Sequence, residues 1–280
     1  MKKIIALLLF ALSFVSIAQK SPSCCVKPGE NTFALLTKRK DFKDAHMSPR
    51  PFHYESEKGE MIKYKTPDGS TANAFAVKSG ATPKAVIFVF HEWWGLNDYI
   101  KREAEQLQKE LGNVDVYALD LYDGKVTADA SEAGKLMGGL DFKRASNIVK
   151  GAFDMIGKDV KVGTVGWCMG GSWSFQAAIL GGKQVNACAM YYGFPEKDKE
   201  KIKAVNSDVL YIAANNDSFI SQTDRDQFVK DLTVSGKKIT VKGYDADHAF
   251  ANPSNPKYNR EFAENAKTIV LNYFKKNLGL

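Results

Sequence analysis

Gly166-Trp167-Cys168-Met169-Gly170-Gly171 lies midway along a chain of 280 residues. It has the form of a strand-to-helix elbow, G-x-S-x-G, with cysteine where serine usually stands. Upstream, Lys161-Val162-Gly163-Thr164-Val165-Gly166 reads as a strand running directly into the elbow. Downstream, a helix leaves through Trp173 to Leu180. Gly166 and Gly170 let strand and helix approach closely. Residue 168 is then held in a sharp turn with its side chain raised above the sheet and the helix N-terminus beneath it. A strand, an elbow and a helix in that order predict a parallel α/β sheet.

The flanking elements continue the alternation. Met61–Lys65 and Ala74–Val77 enclose Thr66-Pro67-Asp68-Gly69-Ser70, whose Pro-Asp-Gly marks a β-hairpin turn. Ala85–Phe90 is wholly apolar, as a strand buried on both faces requires. Ile100, Ala104, Leu107 and Leu111 recur at helical spacing within Tyr99–Leu111. Val114–Leu119 is the next strand, and residues 142–157 form a second amphipathic helix. Further strands are expected at Val185–Tyr191, Val209–Ala213 and Lys238–Val241, with a closing helix from Asn259 to Lys276. No repeat, low-complexity tract or internal linker interrupts the series. Residues 56–280 are therefore read as one domain of a size that supports a single core.

The N-terminus sets the expected compartment. Lys2-Lys3, an apolar run from Ile4 to Ile17, and small residues ending at Ala18 make a secretory signal peptide over residues 1–18, too short for a comfortable membrane span. The expectation is an exported protein, periplasmic or secreted, free of the membrane once cleaved. Ser21-Pro22-Ser23 ahead of Cys24 lacks the pattern of a lipoprotein site. Residues 19–55 are polar and mixed, and are expected to be a leader with little regular structure that wraps the domain.

The formal charge is +7; without Lys2 and Lys3 it is +5, 37 basic residues against 32 acidic. Both signs interleave, as in Glu196-Lys197-Asp198-Lys199-Glu200-Lys201, which describes a solvated face and excludes a nucleic-acid track. The expected partner is a small molecule, and a monomer is favoured. Four cysteines in so long a chain do not make a disulfide framework. Cys24 and Cys25 are adjacent, Cys188 sits in an apolar run, and Cys168 is left as a free thiol.

Three groups fall just past strands, where reactive groups of an open parallel sheet collect: Cys168, Asp217 and His248. Nucleophile, acid, histidine is the chain order of the α/β-hydrolase triad. A free thiol with pKa near ~8.5 is only slightly ionised at neutral pH. The helix dipole and His248 would favour the thiolate, and Asp217 would fix the imidazole. Asp245 and Asp247 compete for that last role but stand very near His248 in sequence. Asp224 and Asp226 read as the acidic start of the next helix. A second cluster, His91-Glu92-Trp93-Trp94-Gly95-Leu96-Asn97, follows the first long apolar strand. Glu92 would project toward the elbow, and the Trp93 and Met169 N–H groups would form an oxyanion hole. His91 and Glu92 are neighbours, which is wrong for a zinc pair.

These segments, with Asp120-Leu121-Tyr122, Asn216-Asp217 and His248-Ala249-Phe250, resemble dienelactone hydrolases (carboxymethylenebutenolidases) over about residues 56–280. The resemblance implies a Cys168–His248–Asp217 triad with neither metal nor organic cofactor. It also implies that Glu92 is coupled to Cys168 and takes the thiol proton once substrate binds. In the family two arginines clamp the substrate carboxylate; here those positions hold Gly124 and Asn252. Lys125 supplies an adjacent point charge without the bidentate fork. Another ester or lactone is therefore expected as substrate, bounded by Trp93, Trp94, Tyr122 and Phe250. Two alternatives keep the fold: a non-catalytic exported binding protein, and an acyltransferase using the same triad.

Overall fold

The computed structural model describes residues 30–280, with side chains from Phe33 onward. Residues 1–18, expected to be a signal peptide, and Cys24–Cys25 lie outside the described residues. In chain order the elements are α1 (Glu30–Leu36), α2 (Lys40–Ala45), β1 (Glu60–Lys65), β2 (Thr71–Val77), β3 (Ala85–Phe90), α3 (Asp98–Leu111), β4 (Val114–Leu119), α4 (Ala130–Gly138), α5 (Phe142–Ile156), β5 (Lys161–Trp167), α6 (Met169–Gly181), β6 (Val185–Tyr191), α7 (Lys199–Ala204), β7 (Asp208–Ala214), α8 (Gln222–Val234), β8 (Ile239–Tyr244) and α9 (Arg260–Leu278).

The eight strands form one sheet in the order β1-β2-β4-β3-β5-β6-β7-β8. The hairpin β1–β2 is antiparallel and joins β4 antiparallel; every later pairing is parallel. β3 and β4 are buried along their whole length, and β5 beyond its first residue. This is why β3 reads as uninterrupted apolar sequence: helices cover both of its faces. α3 packs with α9, and α5 with α6, on opposite sides of the sheet. α6 is apolar nearly all round because it runs under the middle of the fold, its first turn against β5 and β6. No described helix is long and apolar enough to cross a membrane.

Caps fix where the helices around the site begin. The Asn97 side chain accepts from the Ile100 N–H and starts α3, and Ser221 caps α8 in the same way. Asp129 and Asp198 cap α4 and α7. These two helices are absent from the periodicity reading because they are short, and α7 buries only Ile202.

The leader differs from the expectation of little regular structure: α1 and α2 are helical, and both are docked. Phe33 of α1 meets Phe142 and Phe194 with ring centroids 5.8 and 5.9 Å away. Phe42 of α2 is fully buried against Trp93 (5.4 Å) and Phe219 (5.0 Å). Further along, Glu105 of α3 accepts hydrogen bonds from Tyr54 Oη, Ser56 Oγ and the N–H groups of Glu57 and Lys58. The leader is thus pinned over the carboxyl ends of the central strands and along α3.

Candidate active site

The elbow has the geometry its glycines require. A Cβ on Gly166 would stand 2.2 Å from the Gly170 carbonyl oxygen, and one on Gly170 would stand 2.2 Å from that of Phe90. Neither distance is tolerable, so β5, α6 and β3 come together only with glycine at both places. Between them Cys168 adopts φ 55° and ψ −120°, a backbone state that costs a non-glycine residue of order 1–3 kcal/mol. The surroundings hold it there. Its N–H donates to the Tyr191 carbonyl at 3.0 Å, and its carbonyl accepts from Gly171 at 3.0 Å to begin α6. Cys168 is a free thiol, 1% exposed. Burial pushes its pKa up; His248 and the Met169 N–H pull the other way without reversing that rise. It rests as a thiol.

Asp217 and His248 are brought together from the loops after β7 and β8. His248 Nδ1 lies 2.7 Å from Asp217 Oδ2, with both side chains nearly fully buried. The Asp217 Oδ1 accepts from the Phe219 and Ile220 N–H groups at 2.8 and 3.1 Å. Burial works to raise the Asp217 pKa, but the imidazole and these donors outweigh it, and the carboxyl is held below its usual value. Burial likewise works to lower that of His248; the buried Asp217 carboxylate overcomes it and raises it above the ordinary histidine value. With Nδ1 donating to Asp217, His248 Nε2 is buried without a hydrogen-bond partner. The competing acids are engaged elsewhere: Asp245 accepts from Asn215 at 2.9 Å, and Asp247 pairs with Lys257 at 2.9 Å. Asp224 pairs with Lys197.

Glu92 is buried at the end of β3. Burial pushes its pKa up from 4.5 to about 7, against the opposing pull of His248 and Asn252. Asn252 Nδ2 donates to its Oε2. The Asn252 amide is itself oriented, since its Oδ1 accepts from Ser254 N–H at 2.8 Å and Ser254 Oγ at 2.7 Å. Asn252, which departs from an arginine in the resemblance, is therefore committed to Glu92. His91 staples two loops: its Nδ1 is 2.6 Å from the Glu92 carbonyl, and its Nε2 accepts from the Leu121 N–H at 3.1 Å. Asp120 accepts from Tyr122 and Gly124 N–H and shapes the turn after β4.

The expected substrate contacts divide. Tyr122 Oη lies 3.1 Å from Met169 Sδ, beside the elbow. Trp93 and Trp94 are buried edge to face. Phe250 is fully buried among Tyr192, Tyr244 and Phe262, which makes it core. Lys125 is exposed. The cavity next to the site, about 470 Å³, is lined by Glu92, Trp167, Tyr191, Asn252 and residues of α3 and α9. Trp94, Tyr122, Lys125 and Phe250 are not part of its wall.

One residue in the cluster is absent from the sequence reading. His46, just past α2, is buried beside the elbow with its Nε2 3.9 Å from Cys168 Sγ. Its Nδ1 is 2.6 Å from the Phe42 carbonyl, and its ring centroid is 5.2 Å from that of His248. Burial and the nearby His248 push its pKa down to about 3, so it is neutral. One donor atom each from His46, Cys168 and His248 lie within 4.8 Å of one another. His46 stands in Asp44-Ala45-His46-Met47, outside any motif, and no local signal marks it.

A mostly parallel eight-stranded sheet whose central strand ends in a glycine-flanked elbow, with an acid–histidine pair after the last two strands, defines an α/β-hydrolase. The sequence model of the Dienelactone hydrolase family matches residues 72–278, and the chain belongs to that family. Among curated relatives, Protein usf of Aquifex pyrophilus is 29% identical over 236 residues, covering 79% of this chain and 99% of that one. The carboxymethylenebutenolidase of Pseudomonas putida is 25% identical over 214 residues, covering 71% and 89%. The crystal structure of a dienelactone hydrolase-like promiscuous phosphotriesterase from metagenomic libraries superposes with a TM-score of 0.69 at 21% identity, covering 79% of this chain and 99% of that one. The leader that carries Phe42 and His46 precedes the matched region.

Proposed function

We propose that the protein is an exported hydrolase that cleaves a small carboxylic ester or lactone through a thioester on Cys168. The observation that carries this reading is the Asp217–His248 pair at 2.7 Å, with the free His248 Nε2 buried beside the elbow thiol. When His248 is neutral, the thiol proton passes to its Nε2, and the sulfur attacks the substrate carbonyl. The Met169 and Trp93 N–H groups receive the oxyanion. His248 then protonates the leaving alkoxide, or the ring oxygen of a lactone, and afterwards activates the water that releases the acid. Glu92, near neutrality in its pKa, is a second acceptor for the thiol proton. Relatives called carboxymethylenebutenolidase support the lactone class. Asn252 is held on Glu92 and Lys125 is exposed, so a substrate without an obligatory carboxylate suits the site better. The signal-like residues 1–18 support export.

The test is hydrolysis of p-nitrophenyl acetate, simple lactones and dienelactone by wild type and Cys168→Ala. Loss of activity in the variant supports the thioester route; equal rates in both would remove Cys168 from the chemistry.

A further inference from the structure

The proposed reaction uses Cys168, His248 and Asp217 and leaves His46 without a task. His46 is a buried, neutral imidazole whose free nitrogen faces the same sulfur. We propose that His46, Cys168 and His248 together form a binding site for Zn²⁺, which closes the leader over the elbow and withdraws the thiol from catalysis. The withdrawal rests on Cys168 being the nucleophile; the binding does not.

Three observations carry the site. The donors are one thiol and two imidazoles, the set that zinc prefers among biological ligands. They already lie within 4.8 Å of one another, and the His46 Nε2 to Cys168 Sγ distance is 3.9 Å. Tetrahedral zinc, with bonds of about 2.3 Å to sulfur and about 2.0 Å to nitrogen, needs neighbouring donors roughly 3.3–3.6 Å apart. The His46–Cys168 pair, at 3.9 Å, is a few tenths of an ångström from that, and no pair within the 4.8 Å limit needs a contraction of more than about 1.5 Å. His46 sits on a leader segment and His248 on a loop, and small shifts of either supply it. The third observation is the support behind each ring. Zinc-bound histidines almost always donate their other N–H to a carboxylate or a backbone carbonyl. Here His248 Nδ1 is 2.7 Å from Asp217, and His46 Nδ1 is 2.6 Å from the Phe42 carbonyl. Both rings are thereby held with Nε2 toward the sulfur, and His248 Nε2 is buried with no hydrogen-bond partner.

The step balances simply. Cys168 enters as a thiol and loses one proton to solvent; a His248 that carries a proton on Nε2 releases that one too. Sulfur and two imidazole nitrogens each give a lone pair to the metal, and nothing is oxidised or reduced. Both groups needed for attack, the sulfur and His248 Nε2, are then occupied. Because His46 comes from the leader, ahead of residues 72–278 that the family model matches, the site is built partly from outside the family region.

The experiment uses the full mature chain, stripped of metal and reduced. Titration with Co²⁺ should give one equivalent of a thiolate-to-cobalt charge-transfer band in the near ultraviolet, and Zn²⁺ should displace it. Calorimetry in buffers of different ionisation heat should find about one to two protons released per zinc. Cys168→Ala should lose the band. His46→Ala and the better-packed His46→Gln should each weaken Zn²⁺ binding at least tenfold and raise the half-inhibitory Zn²⁺ concentration by the same factor, relative to each variant's own metal-free rate. No band in wild type, or a band and inhibition untouched in both His46 variants, would overturn the site. A band with no esterase activity in the metal-free protein would leave the site standing and remove the thioester reading instead.

Discussion

Glu92→Gln isolates the electrostatic state of the site in one comparison. Glu92 is almost wholly buried, and its pKa stands at about 7 in the folded protein against 4.5 for an ordinary glutamate. Between those values the folded chain keeps a proton that the unfolded chain has released. A raised acid pKa therefore makes stability greatest below about 4.5 and lowers it as the pH climbs toward 7, after which the loss is complete. At about 1.36 kcal/mol for each pH unit between the two pKa values, the whole loss is about 3 kcal/mol. Glutamine is neutral throughout and can offer its carbonyl oxygen to Asn252 Nδ2, which donates to Glu92 in the wild type. The expected outcome is a variant equal to wild type at pH 4 and about 3 kcal/mol more stable at pH 8. The assay is urea denaturation of both proteins at intervals from pH 4 to 8; titrating groups that do not interact with Glu92 cancel in the difference. Two parallel stability curves would refute the reasoning, since they would mean that Glu92 titrates alike in both states. A Glu92→Gln protein that is stabilised and also slower on esters would show what the wild type gives up to keep a proton acceptor beside the thiol.

The other expectations are shorter. Gly170→Ala drives a Cβ to 2.2 Å from the Phe90 carbonyl and 2.5 Å from that of His91; with backbone on both sides, the elbow should lose at least about 3 kcal/mol in denaturant melts. Phe42→Ala empties a fully buried ring site between Trp93 and Phe219 and should cost about 3 kcal/mol of leader docking. Its reporter is iodoacetamide, which should label Cys168 many times faster than in wild type; an unchanged rate would mean that α2 does not guard the thiol. Glu105→Ala removes the acceptor of four hydrogen bonds from residues 54–58. Burial works to raise its pKa, but those bonds outweigh it and hold the carboxyl below the usual value. Removing these bonds should cost about 2–4 kcal/mol; the part of that stability linked to the lowered pKa is present above the ordinary glutamate pKa and lost as the pH falls through the folded value. Limited proteolysis near residue 50 should show the variant cut at neutral pH where wild type resists.

What could be read in the sequence divides along a physical line. Elements whose environment repeats along the chain were legible. β3 announces burial on both faces by six apolar residues in a row, and α3 by its spacing of Ile100, Ala104, Leu107 and Leu111. The pairing of Asp217 with His248 was legible in outline because strand ends gather reactive groups on one edge. The choice against Asp245 and Asp247 needed Asn215 and Lys257, whose positions come only with the fold. Phe250 runs the other way: expected as part of the substrate wall, it is fully buried among three aromatic neighbours.

His46 marks where sequence reasoning runs out. It meets Cys168 across 122 residues, and nothing in α2 states that helix's destination. α2 has six residues, too few for a hydrophobic period, and one buried side chain, Phe42, anchors it. That ring docks into a recess made by Trp93 and Phe219, two residues far apart in the chain that follow different strands. The recess exists only after β3 and β7 have joined one sheet, with β5 and β6 between them. A leader that reads as polar and irregular therefore gains its structure from the domain it covers, and its histidine gains a function from the same contact. The consequence is that the leader's docking and the state of the elbow thiol are one equilibrium. Whatever loosens Phe42 should also free His46 from the sulfur, and whatever binds His46 to the sulfur should tighten Phe42 in its recess.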